Sequence, residues 1–337
     1  MKKIFYMFSF VMILSLAFQN ISYSAPTDSE MANLRSIFST SIRPYTYWPV
    51  EGTDTNDMSS AFGPRIQYTT GLVDFHRAID INATKGTPVF NVFNGFLFSI
   101  ENYTSGGLTV IIKHTLPISA RYNEKTIKYF YTYYMHLSSI PNEIQNAAKG
   151  TYIPAGSVIG YVGHSGTTTD HLNLELRMGT PYSLEWQTAN KTSSYNMGFD
   201  PHINPMILYR DVKDNFTLAK SANSNADLVI NISTARDYLV LNRVDFRIYD
   251  LKGNVVSKQI LDYDMRIGYD ATSTSKLDTI NKSKMYISPI CFRSTSSIFE
   301  TNIVIPAATI SAYPSGSYTY QINIQNIYGT WWSTYWK

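Results

Sequence analysis

Short runs of β-branched and aromatic residues, separated by Gly, Pro and Asn, recur from about residue 58 to the end of this chain. Such runs are typical of β-strands, because these side chains pack well on a pleated surface. Within residues 58–209, only 141–148 suggest a short helix. The chain contains one cysteine, Cys291, which excludes an internal disulfide and a metal site built on several cysteines. The sequence therefore predicts a mainly β protein held together by sheet packing.

The predicted strands fall into two sets, and a length of 337 residues indicates about two domains. The first set comprises 87–93, 96–100, 108–113, 129–134, 158–162 and 172–178, with Asn94-Gly95 predicting a hairpin between the first two. The second set comprises 228–232, 244–249, 255–260, 285–290, 301–305 and 318–324. We expect a β domain over 58–210, a charged seam at 210–214, and an Ig-like β-sandwich over 215–337.

The first 24 residues have the pattern of a secretory signal peptide. Lys2 and Lys3 precede an apolar run at 4–18, and Ser22-Tyr23-Ser24 provides small residues before a cleavage point. A transmembrane anchor is the alternative, but the run is shorter than the ~20 residues that span a bilayer. We expect an exported protein, extracellular, periplasmic or in the cell envelope, with no integral membrane segment after cleavage.

The mature chain is nearly neutral, because cleavage removes Lys2 and Lys3 and lowers the formal charge from +3 to +1. A neutral chain lacks the basic footprint that nucleic-acid binding requires, so no nucleic-acid partner is expected. Residues 25–57 are mostly polar and form an N-terminal extension ahead of the strands. Within it, 43–49 holds three aromatic residues and two prolines, and we expect an extended arm packed on a domain surface.

Five of the six histidines lie between residues 76 and 171. His76 and Asp80 are four residues apart, so on a strand they point the same way and suit two ligands of one metal ion. A surface histidine beside a surface aspartate is equally compatible with that spacing. His136 lies among aromatic residues, where a packed core histidine is the alternative to a catalytic one.

A third group of polar residues lies at 170–175. If this segment is a strand, His171, Asn173 and Glu175 share one face and two leucines fill the other. Such a polar face is either a solvated sheet surface or a functional site. His164 belongs to the glycine- and threonine-rich loop that precedes it.

Several segments recur in the order and spacing of one known family. They are 59–65 (SSAFGPR), 75–81 (FHRAIDI), 86–89, 94–95, 110–114, 134–137, 159–163, Gly166, 171–173 (HLN) and Glu175. Together they resemble the lysostaphin-type (LytM-like) zinc metallopeptidases, with 59–65 similar to the S-x-F-G-x-R segment and 75–81 to H-x-G-x-D. The resemblance covers about residues 58–209 and implies an antiparallel β-sheet of the lysostaphin or duplicated-hybrid-motif type.

The resemblance also implies a chemistry, since members of that family mostly cleave peptide cross-links in bacterial peptidoglycan. His76 and Asp80 match two zinc ligands, and Asn173 stands where the family has a third, the second histidine of H-x-H. His136 and His171 match the two non-ligand histidines, which orient or deprotonate water and stabilise the oxyanion. The implied cofactor is Zn²⁺ and the implied partners are peptidoglycan peptides.

Asn173 is the main departure from the family pattern, and Ala78, in place of a glycine, is a lesser one. An amide oxygen is a harder and weaker zinc donor than imidazole and suits calcium or magnesium better. His164 is a possible replacement ligand. Two functions remain open: a secreted zinc endopeptidase with a weakened site, and a non-catalytic relative that binds peptidoglycan or regulates a cell-wall hydrolase.

An aromatic cluster, Trp331, Trp332, Tyr335 and Trp336, ends the second set of strands. Aromatic side chains stack well on sugar faces, so a glycan-binding platform is one expectation. The alternative is that these residues close the core of the sandwich, since Trp has a large apolar surface to bury.

Overall fold

The computed structural model describes residues 26–66, 73–122, 125–179, 202–209, 216–221, 227–234, 241–262, 285–287, 299–314 and 316–336. The predicted signal peptide, the charged seam and Cys291 lie outside these residues. The helices are α1 (Asp28–Ile37), α2 (Asn142–Gln145) and α3 (Ala307–Ser311), with single helical turns at Phe38–Ile42, Arg43–Tyr45, Thr55–Asp57 and Pro205–Leu208. No helix in the described part of the chain is long and apolar enough to cross a membrane.

Twelve strands precede residue 210 in the described ranges. They are β1 (Met58–Ser60), β2 (Gly63–Ile66), β3 (Val73–His76), β4 (Ala78–Asn82), β5 (Pro88–Phe90), β6 (Gly95–Tyr103), β7 (Gly107–Tyr122), β8 (Lys125–Leu137), β9 (Tyr152–Ile153), β10 (Val158–Tyr161), β11 (His171–Gly179) and β12 (His202–Ile203). The strands that follow are β13 (Phe216–Ser221), β14 (Leu228–Thr234), β15 (Leu241–Tyr249), β16 (Val255–Asp262), β17 (Tyr286–Ile287), β18 (Phe299–Ile305), β19 (Thr319–Asn326) and β20 (Trp331–Trp336). The prediction of a mainly β, antiparallel fold is confirmed.

An eight-stranded antiparallel sheet forms the centre of the first half, in the order β1-β4-β11-β8-β7-β6-β9, with β12 also pairing with β11. Alternation along β11 gives the sheet two different faces. Leu172 and Leu174 are fully buried on one side, whereas His171 and Asn173 are partly exposed on the other. The apolar face packs into the main core, so the polar face is available for a site.

The hairpin predicted at Asn94-Gly95 is wrong. β5 pairs with β10, and β6 pairs with β7 and β9, so the two strands belong to different sheets. Gly95 is required for a close approach: a Cβ there would lie 2.6 Å from the Ile112 side chain and 2.8 Å from the Lys113 carbonyl oxygen. The absence of a side chain at Gly95 therefore lets β7 approach closely, and this glycine does not mark a tight turn. The short helix predicted at 141–148 is confirmed as α2.

The N-terminal extension is helical through residue 45, and the expectation of an extended arm over 43–49 is wrong for its first part. α1 begins with a capping box in which Thr27 and Glu30 bond each other's backbone N–H groups. Met31 and Leu34 bury one face of the helix in the core. The capping residues and this three-residue spacing are a sequence signal for the helix.

α1 and the turn after it contact both halves of the protein. Arg35 Nε donates a hydrogen bond to the Ile327 carbonyl oxygen at 3.0 Å, and Asp28 pairs with Arg243. Arg43 donates to the Ile207 carbonyl oxygen at 3.2 Å, while its guanidinium lies over the Tyr328 ring. The N-terminal extension thus ties the strands before residue 210 to those after it.

The second half contains two four-stranded antiparallel sheets, β13-β14-β18-β17 and β16-β15-β19-β20, which fit the β-sandwich prediction. In the terminal strand β20, Trp332 and Trp336 pack against the core. Trp331 and Tyr335 are 46% and 60% exposed. Trp332 and Trp336 therefore fit the expectation of closing the sandwich core. Trp331 and Tyr335 are exposed enough to fit the expectation of stacking on a sugar.

Candidate metal centre

The histidines, aspartate and asparagine singled out in the sequence meet on the polar face of the large sheet. The strand register aligns Asn173 of β11 with Asp80 on β4 and with Met135 on β8. His76 ends β3 immediately before β4, and His171 begins β11. The described structure thus brings residues from three separate sequence segments to one location.

Three polar atoms form the centre of this cluster. His76 Nε2 lies 3.3 Å from Asp80 Oδ1 and 3.1 Å from Asn173 Nδ2, and the last two atoms are 2.7 Å apart. A triangle with these sides has a circumradius of about 1.8 Å, so one ion fits about 2.1 Å from all three corners. The positions of the three side chains therefore suit a zinc-sized ion.

The ring of His76 is held in the tautomer that a metal ligand needs. Its Nδ1 lies 3.0 Å from the carbonyl oxygen of Ala61 and 3.0 Å from Ser60 Oγ. A carbonyl only accepts hydrogen bonds, so Nδ1 carries the proton, and the lone pair of the neutral ring is on Nε2. Such outer partners fix the orientation and the donor atom of a ligating histidine.

The other two histidines have the same arrangement. His136 Nδ1 donates to the Ser165 carbonyl oxygen at 2.8 Å, and His171 Nδ1 donates to the Thr169 carbonyl oxygen at 2.9 Å. Each neutral ring therefore has its acceptor at Nε2. The two ring centroids are 4.7 Å apart, and His171 Nε2 lies 3.7 Å from Asp80 Oδ1. Burial lowers the pKa of His136, which favours its neutral form.

His136 reaches the site through an unusual backbone conformation, with φ of 63°. Along β8, Tyr133 and Met135 pack on the side of the sheet opposite to Tyr134. A regular strand would put His136 with Tyr134 and Leu137 with Met135, but Leu137 is in the main core. The left-handed residue breaks the alternation and lets the His136 ring meet His171. Strained conformations of this kind cluster at functional sites.

The amide of Asn173 is oriented with its nitrogen toward the other two corners. Nδ2 has two N–H groups, and it contacts Asp80 Oδ1 and the His76 Nε2 lone pair. Asn173 Oδ1 is buried and has no hydrogen-bond partner. A nitrogen that donates in this way is not a metal ligand. Apart from this amide, the described residues contain no group of three His, Cys, Asp or Glu side chains placed to hold a metal ion.

Zinc nevertheless fits these residues if the amide is reversed. Exchanging the amide oxygen and nitrogen places Oδ1 at the third corner, which gives one imidazole nitrogen, one carboxylate oxygen and one amide oxygen. An ion there would be the partner of Oδ1, and Nδ2 would move to the buried position that the oxygen leaves. The spacing of the three corners is the observation in favour of this ligand set.

Two candidate residues have partners away from this cluster. His164 Nδ1 lies 2.6 Å from Asp170 Oδ1 on the exposed loop, and this bond lowers the pKa of Asp170. Glu175 is paired with Arg177, and its carboxylate is 3.3 Å from His202. Burial would raise the pKa of Glu175, but Arg177 and His202 lower it to about 2. Glu175 thus belongs to a buried ion network.

Sequence inspection missed the groups that fix the histidine tautomers. Three of them are backbone carbonyls, those of Ala61, Ser165 and Thr169, which have no residue signature. Ser60 was visible in the sequence only as part of the 59–65 segment. The Ser165 carbonyl depends on Gly107, where a Cβ would lie 2.0 Å from that oxygen.

Comparison with known proteins places this region in a family. The Peptidase family M23 model matches residues 74–184. Among solved structures, a zinc-containing peptidase from Vibrio cholerae is 24% identical over 40% of this chain and 36% of its own, with a TM-score of 0.31. LytU is 26% identical over 40% of this chain and 81% of its own (TM-score 0.29). Csd3 from Helicobacter pylori is 20% identical over 50% of this chain and 36% of its own (TM-score 0.33).

The match to the first and third of these structures spans only about a third of their length. A search of curated proteins finds no match to the chain. The resemblance recognised in the sequence is confirmed for residues 74–184, which hold all five residues of the cluster.

Proposed function

Because residues 74–184 form a Peptidase family M23 domain, we propose that the protein is a zinc-dependent endopeptidase that hydrolyses peptide bonds of peptidoglycan. One observation carries this proposal. Three potential ligand positions, His76, Asp80 and Asn173, meet beside two histidines whose acceptor nitrogens are available for proton transfer. The substrate class comes from the family, and the bond that is cleaved is left open.

In this proposal His76 Nε2, Asp80 Oδ1 and, after reversal of the amide, Asn173 Oδ1 would hold the ion. Zinc at such a site lowers the pKa of a bound water and polarises a carbonyl. The chain's contribution is to fix the donors: the carbonyl of Ala61 holds His76, and the pairing of β4 with β11 holds Asp80 opposite Asn173. Two oxygen donors and one nitrogen make this a weaker zinc site than one with two imidazoles.

His136 and His171 handle protons in the proposed reaction. Both rings present an unprotonated Nε2 when neutral, so either accepts a proton from water and then becomes a donor. The lowered pKa of His136 keeps its Nε2 free at neutral pH. Asp80 lies 3.7 Å from His171 Nε2 and stabilises the positive charge that His171 gains.

The remaining elements of the proposal concern location and architecture. A cleaved signal peptide at 1–24 would export the chain to the cell envelope, where peptidoglycan lies. We propose a peptidase domain over 58–210, joined by the helical extension to a second domain over 215–337. The exposed Trp331 and Tyr335 of that second domain are compatible with glycan stacking.

A second candidate function is a non-catalytic relative that binds peptidoglycan or regulates a cell-wall hydrolase. The orientation of the Asn173 amide favours it, because Nδ2 donates to the same two atoms that zinc needs. In that case the groove retains its shape and its histidines without turnover.

The test is zinc content and muropeptide release by the mature protein, beside Asn173→His, His76→Ala and the exposed control His164→Ala. The peptidase proposal expects zinc and release for the natural protein and the control, and loss of both in His76→Ala. Zinc binding and release only in Asn173→His would refute it and support the non-catalytic relative. Loss of activity in His164→Ala would require a new ligand set.

A further inference from the structure

The two polar atoms of the Asn173 side chain differ in their contacts. Its nitrogen contacts Asp80 Oδ1 at 2.7 Å and His76 Nε2 at 3.1 Å, while its buried oxygen has no partner. Buried polar atoms are nearly always hydrogen-bonded, and an exception points to an unrecorded water or ion, or to a functional role. The orphaned oxygen therefore requires an explanation.

Only a donor is tolerated at the inner position of this amide when no cation is present. An oxygen 2.7 Å from Asp80 Oδ1 would place two acceptors against each other, with the His76 Nε2 lone pair beside them. The amide nitrogen satisfies both acceptors with its two hydrogens. With its nitrogen inward, the amide presents N–H groups, and no lone pair, to the position where an ion would lie.

The opposite holds when a cation is present, because an amide nitrogen has no available lone pair and its hydrogens repel the ion. Oδ1 must then occupy the inner position, where the ion becomes its partner. The inward N–H groups of the amide and a bound cation therefore exclude each other. The exchange is a half-turn of the planar amide about its Cβ–Cγ bond, which leaves the backbone pairing of β4 and β11 in place.

We propose that the Asn173 amide is a two-position gate that couples metal occupancy of this site to its own orientation. In the metal-free protein the nitrogen-inward position holds His76 and Asp80 together in place of an ion. Metal binding reverses the amide and breaks two hydrogen bonds, so the gate lowers metal affinity. It also shifts preference toward cations that accept oxygen donors, such as Mn²⁺, relative to zinc. The inference rests on the metal site of the proposed function and does not require turnover.

The stability of the metal-free protein gives the first test. In EDTA, Asn173→Asp should unfold at a lower temperature than the natural protein, because a carboxylate cannot donate and adds a charge beside Asp80. Asn82→Asp is the matched control, since it adds the same charge at an exposed position of the adjacent strand. With zinc added, the order should reverse, and Asn173→Asp should show the larger rise in melting temperature.

Metal affinity gives the second test and keeps the gate falsifiable if one variant fails to fold. Titration calorimetry should find zinc bound at least about 100-fold more tightly by Asn173→His than by the natural protein. The ratio of Mn²⁺ to Zn²⁺ affinity should fall in the same variant. Equal zinc affinities, or an unchanged ratio, would overturn the gate.

The side-chain amide itself gives the direct readout. In ¹⁵N-labelled protein, the resonance pair that is absent in Asn173→Asp belongs to this amide, and it should move when one equivalent of zinc binds. Zinc binding without such a change would overturn the proposal, as would an Asn173→Asp variant no less stable in EDTA than Asn82→Asp. Muropeptide release is measured separately: an inactive protein with a working gate refutes only the peptidase function, and an active protein without one refutes only the gate.

Discussion

Asn173 Nδ2 lies 2.7 Å from Asp80 Oδ1, across a backbone register that places the two residues directly opposite each other on β11 and β4. This contact puts a hydrogen-bond donor where the family pattern has an imidazole ligand. Together with the contact to His76, it holds the side chains of Asp80 and His76 beside Asn173. The surrounding groups give four predictions that are independent of the amide gate.

We predict that Ser60 contributes to metal binding at the proposed site through His76. Ser60→Ala removes the hydroxyl 3.0 Å from His76 Nδ1 and leaves the Ala61 carbonyl as the main partner of the ring. Loss of such an outer partner costs at least about 10-fold in metal affinity, which competition with a chelator measures. Ser59→Ala on the same strand is the control and should stay within about twofold. Equal losses in the two variants would assign the effect to the strand and not to His76.

Gly107 is required for the position of the Ser165 carbonyl and hence of His136. Its φ of 59° disfavours any side chain, and a Cβ would lie 2.0 Å from Ser165 O. Gly150→Ala is the matched control, since Gly150 has φ of 89° but open space around it. The control should cost about 1–2 kcal/mol of unfolding free energy, and Gly107→Ala about 2 kcal/mol more. If denaturant titrations gave similar losses of unfolding free energy in the two variants, Ser165 would be able to move away from the new Cβ at no cost in stability.

Glu175 stabilises the fold through Arg177 and His202. Glu175→Gln leaves Arg177 buried without its carboxylate, so the free energy of unfolding should fall by about 3 kcal/mol. Glu143→Gln, on the exposed face of α2, should change it by less than about 0.5 kcal/mol. Urea titration at neutral pH gives both values. Unaltered stability with lost hydrolysis would move Glu175 from the ion network to the catalytic machinery.

His114 makes stability depend on pH. Burial lowers its pKa from 6.5 to about 4, in a site between the Phe130 ring and Thr132. As pH falls below about 6.5 the unfolded chain binds the proton first, so stability present above that pH is lost toward pH 4. The loss attributable to His114 is about 3 kcal/mol. His114→Gln should flatten the profile of unfolding free energy between pH 6.5 and 4, and an unchanged slope would assign it to other groups.

Recognition of the site from sequence relied on spacing. His76 and Asp80 belong to one short segment, and His171 and Asn173 to another, so their shared faces follow from local geometry. The alternation of leucines with polar residues in β11 could be predicted from the sequence for the same reason. The sequence also contains a signal for α1, namely the capping residues Thr27 and Glu30 and the spacing of Met31 and Leu34, which lies outside the strand patterns.

The Asn94-Gly95 hairpin shows why other features were out of reach. The dipeptide is a strong local turn signal, yet Gly95 is placed by its approach to β7, a contact with residues more than fifteen positions away. Local turn propensity contains no information about such a distant contact. Tertiary packing therefore overrides the propensity. The same applies to the carbonyls that hold the three histidines.

The sequence by itself determined that the chain is mainly β, that segments typical of the lysostaphin-type peptidases are present in order, and that an asparagine stands where the family pattern has a third ligand. Residue identity and spacing are local properties, so they can be read directly. The tertiary structure decided that the asparagine faces inward with its nitrogen, and that a left-handed His136 turns from the core side of β8 to meet His171. Both depend on atoms that only the folded sheets bring within hydrogen-bonding distance.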